Sequence, residues 1–264
     1  MVIVGERLNS SRKAVARAIA DRNEMFIRLE ARRQEEAGAN FIDINVAAAG
    51  GDEPAQMEWA VRVIQQATEA PCCIDSPNPN ALAAGLASHR GPAMINSISG
   101  ERARMKSVLP LLRQYGSSVV ALTIEDAGMP TAADDRVRIA SAVVGLLTAE
   151  DIPPDRIFVD PLVRAVSTEP AQGRELLDAI RRLRAELPGV HVIAGLSNIS
   201  FGLPGRSLLN RTFLAMAMAA GLDAAILDPL DRKLMSAVCA AQALLAEDEF
   251  CVNYLAAHRA EILE

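Results

Sequence analysis

Residues 191–206 read HVIAGLSNISFGLPGR, and the fold turns on how the first half of that stretch is taken. Val192, Ile193, Ala194 and Leu196 form a short apolar run without polar alternation, the pattern of a strand covered on both faces of a parallel sheet. The run stops at Ser197 and Asn198, and the loop beyond carries Gly202, Pro204 and Gly205. The same grammar recurs along the chain in VIVG, FIDIN, CCID, AMIN, VVALTI, RIFVD and AAILD. Between these runs lie amphipathic segments, such as AQMEWAVRVIQQATEA, in which Met57, Ala60, Val61, Ile64 and Ala67 recur at helical spacing. Eight strand–helix units in roughly 250 residues is the arithmetic of a (β/α)₈ TIM barrel, here one α/β domain over residues 1–264. An open doubly wound sheet is the structural alternative, but neither GxGxxG nor a P-loop follows the first strand.

Composition narrows the function. Aromatic residues make up 3% of the chain, too few for base-stacking platforms, and the net charge of −6 disfavours a general binder of nucleic-acid backbones. Basic residues alternate with acids, as in RLEARRQEE, which reads as solvated helix faces. No signal peptide and no apolar run of membrane-spanning length is evident, so the expectation is a cytoplasmic protein with no membrane partner. The four cysteines, Cys72, Cys73, Cys239 and Cys251, lack metal-ligand spacing and read as reduced packing residues. Three scattered histidines give a Ser-His-Asp triad or a zinc site little to build on.

In a parallel barrel the C-terminal ends of all strands surround one mouth. There this sequence places short polar side chains: Glu6 and Asn9, Asp43 and Asn45, Asp75, Asn96, Thr123, Asp160, Ser197 and Asn198, and Asp228. For any one of them, N-capping of the following helix is the simpler reading. Better caps stand further on, however: Asn78 before Pro79, Ser99 after Asn96, and Thr168 well beyond Asp160. Three surplus groups, Asp75, Asn96 and Asp160, then converge on the mouth. Carboxylates and carboxamides without lysine or histidine suit a flat, neutral heterocycle rich in N–H donors. A divalent cation is the second reading, since the acids alternate with amides rather than form a compact ligand set. Glu6 and Asp228 also suit structural roles, with Arg7 or another mouth residue as ion-pair partner for Glu6.

VIVGERLN, FIDINV, CCIDS, AMINSISGE, DPL, AGLSNISFGLPGR and LLNRTFLAMAMAAGLDAAILDP together resemble the methyltetrahydrofolate:corrinoid-protein methyltransferases, and also the folate module of cobalamin-dependent methionine synthase. The resemblance runs in order through the chain and is weakest in TIEDAGMPTAADD. It implies that Asp75, Asn96 and Asp160 hydrogen-bond the amino-pyrimidinone edge of the pterin, with Asp43 and Asn45 at or near the same pocket. It implies that Asn198 faces N5, the methyl-bearing atom of methyltetrahydrofolate, and that the loop with Arg206 meets the p-aminobenzoate or glutamate tail. The methyl group would pass to or from the cobalt of a corrinoid (cobalamin) on a separate partner protein, since the cobalt-presenting DxHxxG loop is absent; a homodimer is also implied. Two alternatives are a dihydropteroate synthase-like pterin enzyme and a noncatalytic folate-binding protein. Against the synthase, the first loop reads ERLNSSRKAV and the last strand AAILDP, without that family's phosphate-handling loop or late Arg-x-His.

Overall fold

The computed structural model describes the whole chain, Met1–Glu264. Eight strands close into a barrel in sequence order, every neighbouring pair parallel. They are β1 (Val2–Asn9), β2 (Phe41–Asn45), β3 (Cys72–Asp75), β4 (Met94–Ser99), β5 (Ser118–Leu122), β6 (Ile157–Asp160), β7 (His191–Gly195) and β8 (Ala224–Leu227). Two helices, α1 (Lys13–Ala20) and α2 (Glu24–Glu36), follow β1. One helix follows each later strand: α3 (Glu53–Gln65), α4 (Pro79–Ser88), α5 (Arg102–Tyr115), α6 (Ala133–Ala149), α7 (Gln172–Glu186), α8 (Arg206–Ala220) and α9 (Arg232–Leu244). A short α10 (Val252–Arg259) comes last. No helix is long and apolar enough to cross a membrane.

The continuous apolar runs are explained by two cores, one on each face of the sheet. Inside the barrel, Val4, Cys73, Met94, Val120, Phe158, Ile193 and Ala224 pack on one another. Their chain neighbours, among them Ile3, Cys72, Ile74, Ile95, Val119, Ile157, Val159, Val192 and Ala225, belong to the larger core between strands and helices. Successive side chains of a strand point to opposite faces, so both faces must be apolar. Cys72 and Cys73 divide in this way, and both are buried free thiols. Helix α3 buries Met57, Ala60, Val61 and Ile64 as its spacing predicts, while Ala67 falls beyond its end. Each such side chain, when fully buried, contributes roughly 1.5–3 kcal/mol for Val, Leu, Ile or Met.

Helix starts follow the chemistry of orphan N–H groups. Asn78 caps α4 and accepts from the Asn80 N–H, with Pro79 opening the helix. Asn23, Asp52 and Asp231 cap α2, α3 and α9 in the same manner. Two expected caps are absent. Ser99 ends β4, and α5 starts after Glu101, whose N–H the Ser99 hydroxyl accepts at 3.4 Å. Thr168 lies short of α7, whose cap position is Ala171, and its hydroxyl donates instead to the Ala165 carbonyl.

Two strands carry an extra residue near the mouth. The β1–β2 register slips between Gly5 and Leu8, and the β4–β5 register slips between Asn96 and Ile98, beside a cis Asn96–Ser97 peptide. A bulge re-phases a strand: the residues after it exchange faces. Leu8 and Ile98 consequently join the outer core, and Asn9 and Ser99 turn to the mouth. At the first bulge the Arg7 N–H donates to Gln34 Oε1 at 2.9 Å instead of to a strand. Gly5 makes room for that contact, since a Cβ there would stand 2.5 Å from the same oxygen.

Candidate active site

The mouth holds a cavity of about 290 Å³ lined by Glu6, Asn9, Arg12, Asp43, Asp75, Asn96, Ser197 and Asn198, with Ser11, Gly195 and Ile226 completing the wall. A second hollow of about 680 Å³ adjoins it and shares Asp75 and Asn96. Seven of the ten site residues expected from sequence therefore face one space: Glu6, Asn9, Asp43, Asp75, Asn96, Ser197 and Asn198. Asn45, Asp160 and Arg206 line neither hollow.

The β2–β4 side is a lattice of acids and amides. Asn45 Nδ2 donates to Asp75 Oδ2 at 2.9 Å, and Asn45 Oδ1 accepts from the Ala47 N–H and the Ser10 hydroxyl. Its amide is thus occupied by protein, and it orients Asp75. Asn96 Nδ2 reaches Asp43 Oδ1 at 3.5 Å, at the edge of hydrogen-bond range. Burial pushes the Asp43 carboxyl well up from the ordinary range, and the charge of Asp75 pushes it further. Asp75 is raised too, chiefly by burial, with the Asn45 bond and the Arg104 charge opposing. Arg104 itself donates to the carbonyls of Ser97, Pro77 and Ser76, bracing the loops after β3 and β4.

Asp160, at the end of β6, is buried, and its Oδ1 accepts from the Leu162 N–H at 2.8 Å. Burial nevertheless lifts its pKa to about 6. β5 ends one residue short of Thr123, whose hydroxyl turns to the Asp160 carbonyl and takes no part in the cavity.

On the opposite side, Gly195 ends β7 and Leu196–Ser200 form a single tight 3₁₀ turn that carries Ser197 and Asn198. The turn is held from several directions. Ser197 Oγ donates to Glu6 Oε1 at 3.0 Å, and Ser200 Oγ donates to Asn210 Oδ1 at 2.7 Å. The Arg206 guanidinium donates to the Ser197 carbonyl at 2.7 Å and to Ser200 Oγ at 3.1 Å. Arg206, expected at a ligand tail, is instead engaged with the turn.

Glu6 does not pair with Arg7. Adjacent strand residues face opposite ways, so Glu6 enters the cavity while Arg7 reaches outward to Glu30 at 2.7 Å and Asp228 at 2.8 Å. Asp228 thereby finds a structural ion pair, with Arg12 a further 3.4 Å contact. Arg12 is a lining residue that sequence reasoning missed, although it follows β1 closely in GERLNSSR and is a cation among three carboxylates. No three His, Cys, Asp or Glu side chains are grouped to hold a metal ion.

The barrel is shared with solved dihydropteroate synthases. That of Xanthomonas albilineans in complex with 7,8-dihydropteroate superposes with a TM-score of 0.70 at 20% identity, covering 94% of this chain and 93% of that one. That of Yersinia pestis gives 0.69 at 17% identity, covering 93% of each chain. At such identities the likeness establishes the fold. Among curated proteins, a methylcorrinoid:tetrahydrofolate methyltransferase of Eubacterium limosum is 38% identical over 261 residues, 98% of this chain and 96% of its own length. A methionine synthase of Mycobacterium tuberculosis is 32% identical over 240 residues, 86% of this chain and 20% of that much longer protein. The family profile described as pterin binding enzyme matches residues 5–228, from the bulge of β1 to the residue after β8. This chain belongs to the pterin binding enzyme family, and within it to the family of the methylcorrinoid:tetrahydrofolate methyltransferase.

Proposed function

We propose that this protein is a methyltransferase that moves the N5-methyl group between methyltetrahydrofolate and the cobalt of a corrinoid held by a separate protein, with residues 1–264 serving as one pterin-binding barrel. The observation that carries the reading is the single cavity in which Asp75 and Asn96 face Asn198, in a chain aligned almost end to end with a methylcorrinoid:tetrahydrofolate methyltransferase. An amino-pyrimidinone edge presents parallel N–H donors, which a carboxylate accepts in pairs. Asp75 serves as such an acceptor and Asn96 as the adaptable amide; Asp160, buried at the end of β6 and outside both hollows, is the further acceptor that the resemblance implies. Asp43 forms the floor, Asn45 holds Asp75, Asn9 closes the rim, and Arg206 with Ser197 fixes the turn.

The reaction is demanding because a tertiary amine leaves poorly. N5 must gain a proton or a strong hydrogen bond as its bond to carbon breaks. Asn198 has no titratable group near neutral pH, but its carboxamide stabilises the N5–H form and the charge developing on it. A preorganised bond of this kind supplies about 3 kcal/mol, or roughly 10²–10³ in rate. The tight 3₁₀ turn supports such preorganisation by holding Asn198 before substrate arrives.

Calorimetry tests the reading. Methyltetrahydrofolate and 6-hydroxymethyl-dihydropterin pyrophosphate are titrated into the wild-type protein and Asp75→Ala. Tight folate binding that the variant loses supports the methyltransferase; preference for the pyrophosphate would make it a synthase instead. A homodimer belongs to the same proposal, and exposed Phe250, Val252 and Leu255 near the C-terminus offer apolar surface for one. Sedimentation equilibrium decides it: a concentration-independent monomer refutes the dimer.

A further inference from the structure

If methyl transfer is the reaction, a proton must reach N5, and the group beside it has none to give. Four titratable side chains line the cavity: Glu6, Arg12, Asp43 and Asp75. A guanidinium is not a proton source in a protein. Asp43 and Asp75 stand on β2 and β3 and are tied to the amides of Asn96 and Asn45. Glu6 arrives from β1 and is bonded to Ser197, the residue immediately before Asn198, at 3.0 Å. Glu6, Ser197 and Asn198 line the same cavity, so the bonded Glu6–Ser197 pair stands beside the space that Asn198 faces.

We propose that Glu6 is the proton source for N5, delivering its proton through the Ser197 hydroxyl. This rests on the function proposed above. In the forward direction the N5–carbon bond breaks and its electron pair stays on nitrogen. The methyl carbon bonds to the electron pair of cobalt(I), which is thereby formally oxidised to cobalt(III). Once the Ser197 hydroxyl has turned so that it accepts from protonated Glu6, its O–H proton passes to N5 while the Glu6 O–H proton replaces it on Ser197, leaving a Glu6 carboxylate. In reverse, that carboxylate recovers the proton through the same hydroxyl. A hydroxyl that both donates and accepts is suited to this exchange, and a carboxamide is not.

The surroundings of Glu6 fit the role. Burial holds its carboxyl above the ordinary range, and the Asp228 charge adds to that, while the Ser197 bond, Arg12 and Arg206 oppose it. Asp43, from β2, is the remaining charged neighbour. A carboxyl raised toward the working pH is a better general acid than an ordinary one, and such acids contribute about 10²–10⁴ in rate.

The test is single-turnover methyl transfer from methyltetrahydrofolate to free cob(I)alamin over a series of pH values from mildly acidic upward, with folate affinity measured in parallel by calorimetry. The wild-type rate is expected to fall as pH rises and Glu6 loses its proton. Glu6→Gln is expected to lower the rate by about 10²–10⁴ and flatten the profile while binding folate within a few-fold of wild type. Ser197→Ala is expected to fall in rate with folate affinity retained. If Glu6→Gln does not fold, Glu6→Asp takes its place and is expected to be slower with a pH slope retained. A Glu6→Gln protein whose rate keeps the wild-type pH slope overturns the inference alone, because the proton then comes from elsewhere. Wild-type protein that binds folate yet transfers no methyl group overturns the function and this inference together.

Discussion

The lower and upper halves of the barrel are built on the same strands and differ by a step of two residues. Val4 is followed on the inward face by Glu6, Phe41 by Asp43, Cys73 by Asp75, Met94 by Asn96 and Phe158 by Asp160. Below, apolar side chains fill the interior, and Phe158 stacks on His191 with ring centroids 4.5 Å apart. His191 is held in turn by Asp223 at 3.0 Å. Above, carboxyls are buried at a cost, as their raised pKa values show. Apolar packing fills one layer and the proposed chemistry belongs to the next, and one step of strand periodicity separates them.

The separation is open to attack from the bottom. Phe158→Ala should cost about 3–5 kcal/mol in urea unfolding, while the fraction still folded binds folate normally. A folate affinity that falls in step with stability would mean the two layers are coupled. Next in size, Asn198→Ala should lower single-turnover rate about 10²–10³-fold, roughly 3 kcal/mol, with Tm and folate affinity little changed. Unchanged turnover removes Asn198 from the mechanism.

Asp75→Ala should weaken folate binding about tenfold to hundredfold, as expected for losing a hydrogen bond to a charged group. Its Tm at neutral pH should be equal or higher, because an acid whose pKa is raised by folding costs stability once ionised. A clear drop in Tm would show that the mouth carries structural weight after all. Folate affinity should also follow pH. Burial lifts the Asp160 carboxyl to about 6 in the free protein, and the proposed acceptor is its ionised form. Bound protein therefore holds fewer protons, so Kd should rise about tenfold for each unit that pH falls below that value. A Kd constant through that range excludes Asp160 as the ionised acceptor. Smallest of all, Asp52→Ala removes the α3 cap and should cost about 1 kcal/mol in unfolding without altering binding.

The barrel and most of its mouth were legible in the sequence because both follow local rules. A strand buried on two faces must be a continuous apolar run, and a polar residue ending such a run must stand at the rim. What escaped depends on contacts across the chain. The fate of Asn45 is set by Ser10 and Asp75, which lie 35 and 30 residues away. The exchange of faces after Gly5 and Asn96 comes from bulges that no residue pattern announces. Arg7, one of the two kinds of partner expected for Glu6, is excluded by strand geometry, since two successive residues of a strand cannot share a face. Thr168 shows the weakness of cap signals: a hydroxyl with a nearer carbonyl to satisfy leaves the helix start bare.

The tethered turn at Leu196–Ser200 also has a consequence for how such a protein can change over generations. Its hydrogen bonds hold Asn198 from below and from α8, whereas Phe201, Gly202, Pro204 and Gly205, which follow it, are exposed. Substitutions in that rim can reshape what the outer surface meets without disturbing the amide behind it. Later substitutions in this chain can therefore alter that exposed surface while the turn behind it keeps its geometry.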